Sequence, residues 1–383
     1  MGGGRKIGLL FENYGEHWTG GEYYLFNIIR SFQYFNENLP HFVIFYSNAL
    51  VIEKVKELKY KGPVTFKPVT KPVFKPLAFV TRLFEKIFRI DLQIGASYPS
   101  NTVDFIFPCI YASIEENISL KKLRKVYWIP DFQHKYLPAF FSSEELSLRD
   151  ANIEALSKLD ATIVFSSNDV KDDFTRFFKE HKSTARVIRF ASVLISFSHL
   201  SIEELRKKYA LSEKSYFISP NQFWAHKNHI VILKAVTLLK AEGFKLQVVF
   251  TGKEQDYRNP KYTMELKDYV AANKIENMVA FLGFIDRAEQ LQLMNHAQAV
   301  IQPSLFEGWS TVVEDAKALN KTLILSDLEV HREQCGNAGN YFSPENASEL
   351  ALYLKSYLNS PPKQVQENYQ KNIERFANDL LRI

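Results

Sequence analysis

Short apolar runs alternate with helical periodicity along almost the whole chain. Strand-like runs fall at residues 6–11, 41–46, 103–107, 125–129, 161–166 and 186–190, with helical patterns between several of them, as at 21–35 and 144–158. A second series follows, with strands at 216–220, 246–251, 278–282, 298–302 and 322–326. Its helices fit at 228–241, 261–273, 287–296, 311–319 and 346–358. Alternating strands and helices build a doubly wound α/β layer, so two such series predict two Rossmann-like domains. The segment 191–213 breaks the rhythm: it is Ser-rich and carries only a short charged helical pattern, Ile202 to Tyr209. The boundary is therefore placed at residue 200, giving domains 1–200 and 201–362. Pro361-Pro362 ends the second series, and a last helical pattern in 363–383 turns Phe376, Leu380 and Leu381 to one side.

Composition narrows the class. A chain of 383 residues suits two domains, and 46% hydrophobic with 24% charged residues is the balance of a soluble globular protein. Cys109 and Cys335 stand far apart without metal spacing, which reads as reduced thiols in the cytoplasm. No apolar run reaches the ~20 residues that span a bilayer, and Met1 to Lys6 lacks the character of a signal peptide. A net charge of +5 is too small to imply nucleic acid. The charge is uneven, however: residues 54–90 hold ten basic against two acidic residues, an excess of +8. Within them Pro76 to Arg89 reads as an amphipathic helix, with Val80, Leu83, Phe84, Ile87 and Phe88 on one side. That helix either packs on its own sheet or lies on an anionic membrane surface.

Ligands of open α/β sheets sit beyond the carboxyl ends of strands, so the loops there are the candidates for chemistry. After the first strand comes Glu12 to Glu22, whose Gly20 and Gly21 precede a helix and allow close approach of a ligand to the backbone. After the strand 125–129 come Pro130, Asp131 and His134, polar groups suited to acid, base and hydrogen-bond work; equally, Asp131 caps a turn and His134 packs against Tyr136. The first strand of the second domain leads to Gln222, His226 and Lys227. A lysine near a helix start meets the positive end of the helix dipole, an unfavourable position unless an anion such as a diphosphate sits beside it. The fourth loop, Ser304 to Ala316, follows an apolar run. It carries Glu307, Gly308, Trp309, Ser310, Thr311 and Glu314: a tight turn and a helix start with a carboxylate on each side. Exposed amides at a helix start seat phosphate, whereas carboxylates repel it and accept hydrogen bonds from sugar hydroxyls. Together these parts suggest a nucleotide-sugar site. No P-loop, no Gly-x-Gly-x-x-Gly after the first strand, no Asp-x-Asp pair and no His/Cys cluster of metal spacing occurs.

At these residues the chain resembles glycosyltransferase family 4, the retaining enzymes of GT-B fold, most densely from Tyr216 to Phe342. The family's Glu, seven residues, Glu signature looks like Glu307 and Glu314, with six residues between them and one turn residue fewer. The family lysine that contacts the donor diphosphate matches Lys227; the arginine usually five residues before it falls on Gln222, so His226 or another cation shares its task. The family's His-Asp pair falls on Pro130-Asp131, and His134 stands in for the histidine.

The resemblance implies a GT-B fold, two domains facing a deep cleft, with the nucleotide on the second. It assigns Glu314 to the ribose hydroxyls, Glu307 to the donor sugar, amides near Trp309, Ser310 and Thr311 to the distal phosphate or sugar, and Gly20 and Gly21 to the diphosphate. The last helix crosses back to the first domain. The implied reaction is retaining hexosyl transfer from a nucleotide-diphosphate sugar to a glycan or lipid-linked glycan acceptor of the cell envelope. It proceeds by front-face attack with His134, Lys227 and Glu307 as catalytic groups and without metal or cofactor. The basic stretch 54–90 then suggests a cytoplasmic protein resting on the inner membrane face. Alternatives are a non-catalytic nucleotide-sugar-binding protein and a GT-B epimerase.

Overall fold

The computed structural model describes residues 4–11, 19–35, 38–69, 97–111, 118–212, 215–360 and 367–383. It contains two parallel sheets. The first has seven strands in the order β3-β2-β1-β4-β5-β6-β7: β1 Lys6–Phe11, β2 His41–Tyr46, β3 Val64–Pro68, β4 Phe105–Cys109, β5 Lys125–Ile129, β6 Thr162–Phe165 and β7 Thr184–Val187. The second has six in the order β10-β9-β8-β11-β12-β13: β8 Phe217–Ser219, β9 Val248–Phe250, β10 Val279–Phe281, β11 Val300–Gln302, β12 Leu323–Ser326 and β13 Asn340–Phe342. Central strands such as β4 and β11 are buried along their whole length, because helices cover both faces of a parallel sheet. In each sheet the order reverses once, between β1 and β4 and between β8 and β11. A crevice opens beyond the strand ends at such a reversal.

Two of the four edge strands, β3 and β13, lie outside the apolar runs read from the sequence. β3 reads Val-Thr-Phe-Lys-Pro and is only half-buried, since an edge strand has a neighbour on one side alone. β4 begins two residues later than the run at 103–107. Its Pro108 has no N–H to donate, and the pairing with β5 shifts register between Ile106 and Cys109. Helices Leu50–Glu57, Asn168–Phe177 and Glu329–Cys335 lie outside the helical patterns named from the sequence.

The chain leaves the first domain through Ile188, Phe190, Ala191 and Val193, all buried in that domain's core. Helix Ile202–Lys208 then packs into the second domain through Ile202 and Leu205. The final helix, Gln370–Leu381, returns to the first domain. Its Ile373, Phe376, Ala377 and Leu380 join the core formed by Ile28, Phe32 and Phe107. Phe376 sits edge-on to Phe190 at 5.6 Å and to Tyr24 at 5.9 Å. Truncating a fully buried ring of this kind costs about 3–5 kcal/mol through lost transfer energy and an unfilled cavity. Phe376→Ala is therefore expected to shift the urea unfolding midpoint strongly downward; an unchanged midpoint would show that the returning helix is not part of the folding unit. Among the described residues no helix is long and apolar enough to cross a membrane.

Candidate active site

The loop after β8 is shaped by Asn228, which adopts the left-handed conformation at φ 54° that a short amide side chain tolerates. Its Nδ2 donates to the carbonyls of Pro303 (3.1 Å) and Pro344 (2.7 Å), and Leu305 N–H donates to the His226 carbonyl (2.8 Å). The loops after β8 and β11 are thus tied to each other. The tie brings Lys227 Nζ to 2.6 Å from Glu307 Oε1, with the two side chains 19% and 8% exposed. Gln302 Nε2 (2.7 Å) and Ser304 Oγ (2.6 Å) donate to the same oxygen. Burial alone would raise the Glu307 carboxyl, but the Lys227 ammonium and its other neighbours hold it at about 2. His226 is buried and pushed well below its ordinary value, mainly by desolvation and then by Lys227, so its ring is neutral.

Gly308 follows Glu307 and meets the opposite domain. A Cβ at this position would lie 2.1 Å from the Pro130 carbonyl oxygen and 2.7 Å from Asp131 Cβ. The two domain walls touch here, and only glycine fits. Asp131 accepts the Gln133 N–H at 3.0 Å, and Pro130, Asp131 and Gln133 all line the cleft. Across from them lie Gln222, His226, Lys227, Glu307, Gly308 and Trp309. The cavity between the walls measures about 650 Å³, room for a nucleotide sugar. Thr311 lines it as well. Trp309 holds the walls together, donating its indole N–H to the Phe190 carbonyl at 3.0 Å.

Three expectations are corrected by this geometry. Glu314 does not face the cavity. It is 1% exposed, and its two oxygens accept from Gln334 Nε2 (3.0 Å) and Tyr369 OH (2.6 Å), so burial raises its carboxyl without presenting it to a ligand. The acid of this helix that lines the cavity is its neighbour Asp315, itself only 2% exposed, which accepts from Tyr23 OH at 3.0 Å and pairs with Arg287 at 2.6 Å. Seven residues separate Glu307 from Asp315, against six between Glu307 and Glu314. Ser310 caps the helix Thr311–Ala318 through its Oγ, while its own N–H donates to Gln334 Oε1 at 3.1 Å, so this amide is spent inside the domain. His134 is 2% exposed; its Nε2 sits 3.0 Å from Asp150 Oδ1 and its ring packs against Phe132 and Phe141. The one-turn helix Gln133–Tyr136 rotates His134 inward and Gln133 toward the cleft.

Gly20 and Gly21 form the first turn of the helix Thr19–Ser31, and Glu22 and Tyr23 directly after them line the cavity. The preceding stretch, residues 12–18, lies outside the described residues, as does the amphipathic segment Pro76–Arg89. Of the described part of the basic stretch, Lys54 pairs with Glu22 and Lys56 with Glu53. The resemblance gave the charge absent at Gln222 to His226 or another cation; the His226 ring is neutral, and Arg30, Lys253 and Arg287 are cations on the cavity wall. Arg287 opens the helix Arg287–His296, and its Nη2 also donates to Tyr23 OH at 2.8 Å, joining the domains. No periodicity marks it. Among the described residues no group of three or more His, Cys, Asp or Glu is placed to hold a metal.

Residues 201–376 match the family model described as glycosyl transferases group 1. The O-antigen chain mannosyltransferase RfbU of Salmonella typhimurium is 25% identical over 203 residues, 52% of this chain and 52% of that protein. The chain thus matches about half the length of this curated relative. A glycosyltransferase from Rickettsia africae superposes with a TM-score of 0.67 at 16% identity, over 99% of this chain and 96% of that one. Anabaena Alr3699/HepE, solved with UDP-glucose, superposes with a TM-score of 0.64 at 16% identity, over 98% and 93%. The fold is GT-B, two Rossmann-like domains facing a deep cleft.

Proposed function

We propose that this GT-B chain is a retaining glycosyltransferase that moves a hexose from a nucleotide-diphosphate sugar to a glycan or lipid-linked glycan acceptor. The observation that carries the reading is the Lys227–Glu307 pair, held at 2.6 Å at the strand-order reversal of the second sheet and facing the first domain across the cavity. Lys227 is placed to neutralise the charge that grows on a departing diphosphate, where fixed charge is worth most. Glu307, held ionised, accepts hydroxyls of the donor sugar. Asp315 takes the role on the ribose hydroxyls that the resemblance had given to Glu314.

The step breaks the bond between the anomeric carbon and the phosphate oxygen and forms one to the acceptor hydroxyl on the same face. The hydroxyl proton passes to the departing phosphate oxygen. Asp131 and Gln133 line the first-domain wall of the cavity, opposite the Lys227–Glu307 pair. Two similar proteins support the substrate classes: one is named an O-antigen chain mannosyltransferase, and a structural neighbour was solved with UDP-glucose.

Thermal-shift titration with UDP, GDP and dTDP, followed by assay of released nucleoside diphosphate from the matching sugars, tests the reading. One nucleotide is expected to raise Tm and its sugar to be turned over with a glycan acceptor present. Binding without turnover would favour a non-catalytic sugar-nucleotide receptor. Turnover is expected to survive EDTA, because lysine supplies the charge; complete loss restored by a divalent cation would overturn the metal-free mechanism. Contact with an anionic membrane through residues 54–90 belongs to the same proposal. It predicts that neutralising Lys71, Lys75, Arg82 and Lys86 together weakens pelleting with anionic vesicles at low salt.

A further inference from the structure

Arg258 lies between β9 and the helix Tyr262–Ala272, in a loop with no recognisable motif. Its side chain is only 7% exposed. The guanidinium carbon stands 4.6 Å from the Trp224 ring and 5.0 Å from the Phe141 ring, with Tyr257 at 5.7 Å. Planar guanidinium groups stack in this way on aromatic faces, and the contact gains strength when water is excluded. The rings come from both domains: Trp224 follows β8 in the second, and Phe141 follows β5 in the first. The hydrogen bonds divide likewise. Nη1 donates to Gln133 Oε1 of the first domain at 3.2 Å, and Nη2 approaches Nδ1 of His226 in the second at 3.4 Å. Asp256 anchors the loop, accepting the Ala225 N–H at 3.1 Å and the Arg258 N–H at 3.0 Å.

A guanidinium group has only donors, so His226 Nδ1 must accept. The charged groups facing this ring are Lys227, Glu307 and Arg258, with the neutral, buried His229 beside them; burial and the neighbouring Lys227 dominate, and the ring is neutral. A neutral imidazole that accepts at Nδ1 carries its proton at Nε2. His226 lines the cavity beside Lys227, where the resemblance leaves a cation missing at Gln222.

Building on the donor reading above, we propose that Arg258 is a positioning residue that sets His226 as an Nε2–H donor for the phosphates of the nucleotide sugar. Phe141 and Gln133 reach it only when the domains meet, so closure of the cleft completes the setting. An ordinary packing role would leave the tautomer of His226 untouched.

The test uses the full chain with ¹⁵N-labelled histidine, the His226 signals being identified by their absence in His226→Gln. Wild type is expected to show an unprotonated Nδ1 and a protonated Nε2. Arg258→Met, which retains packing volume but no donors, is expected to lose that bias, and Arg258→Lys to recover it only in part. Turnover should fall at least about tenfold in Arg258→Met, while the Kd for UDP, the probe nucleotide, changes less than about threefold. Phe141→Leu should weaken the tautomer bias in the same direction from the other domain. An unchanged His226 tautomer in folded Arg258→Met overturns the proposal, whatever the activity. A changed tautomer in a protein that neither binds nor turns over any sugar nucleotide sustains the role of Arg258 and sinks only the donor reading.

Discussion

Replacing Lys227 by alanine is expected to lower turnover about a hundredfold or more, the scale seen when one preorganised charge partner of a leaving group is removed. The same change should destabilise the fold by about 3–5 kcal/mol, because it leaves the Glu307 carboxylate buried without its countercharge. The two effects separate by pH. In the native protein Glu307 is held at about 2, below the ~4.3 of a free glutamate. Its contribution to stability is therefore complete above the unfolded value and fades as pH falls from there toward 2. Without Lys227, burial is opposed only by weaker neighbours and carries the folded value above the unfolded one. The variant should then lose stability as pH rises from about 4.3 through the raised folded value, the opposite slope from wild type. Urea unfolding at several pH values reads this directly. Lys227→Ala combined with Glu307→Gln should regain most of the stability and none of the turnover. Wild-type rates in Lys227→Ala, or parallel pH slopes, would remove the pair from the mechanism.

The second large effect is expected at Gly308. A methyl group there collides with backbone, the Pro130 carbonyl at 2.1 Å, so no rotamer change relieves it. Gly308→Ala must hold the domains apart by an ångström or more. Misplacement on that scale can cost about a hundredfold in rate when reacting groups come from both walls. Nucleotide affinity should change little, since Lys227, Glu307 and Asp315 share one domain and keep their mutual geometry. A large fall in kcat with a near-native Kd for UDP is the expected signature; equal loss of both would point to local unfolding of the turn, and normal kcat would show that the walls need not touch.

Most strands and part of the second-domain wall of the cleft were readable because both rest on local signals. Buried parallel strands must be apolar, and a lysine at a helix start is an electrostatic misfit until an anion explains it. Thus Gln222, His226, Lys227, Glu307, Gly308, Trp309 and Thr311 all reach the cavity wall. Side-chain direction was not readable to the same degree. Glu314 and Asp315 are adjacent acids about 100° apart around a helix, so one faces the cavity and the other the domain interior. Counting a full seven-residue gap would have picked Asp315, the one that lines the cavity. His134 and Gln133 present the same ambiguity on a single helical turn. Arg258 and Arg287 were missed for another reason: each acts through partners more than 100 positions away in sequence, Gln133 for one and Tyr23 for the other. No spacing rule reports such pairs.

The chain crosses between the lobes twice, once after β7 and once before the returning helix, and the Ser192 N–H donates to the Tyr369 hydroxyl at 2.8 Å where the crossings meet. The Ser192 hydroxyl also donates to Asp315, so the segment leaving the first domain, the start of the returning helix and the helix behind Glu307 meet at one residue. A substitution at Ser192 would therefore loosen all three together rather than any one of them alone.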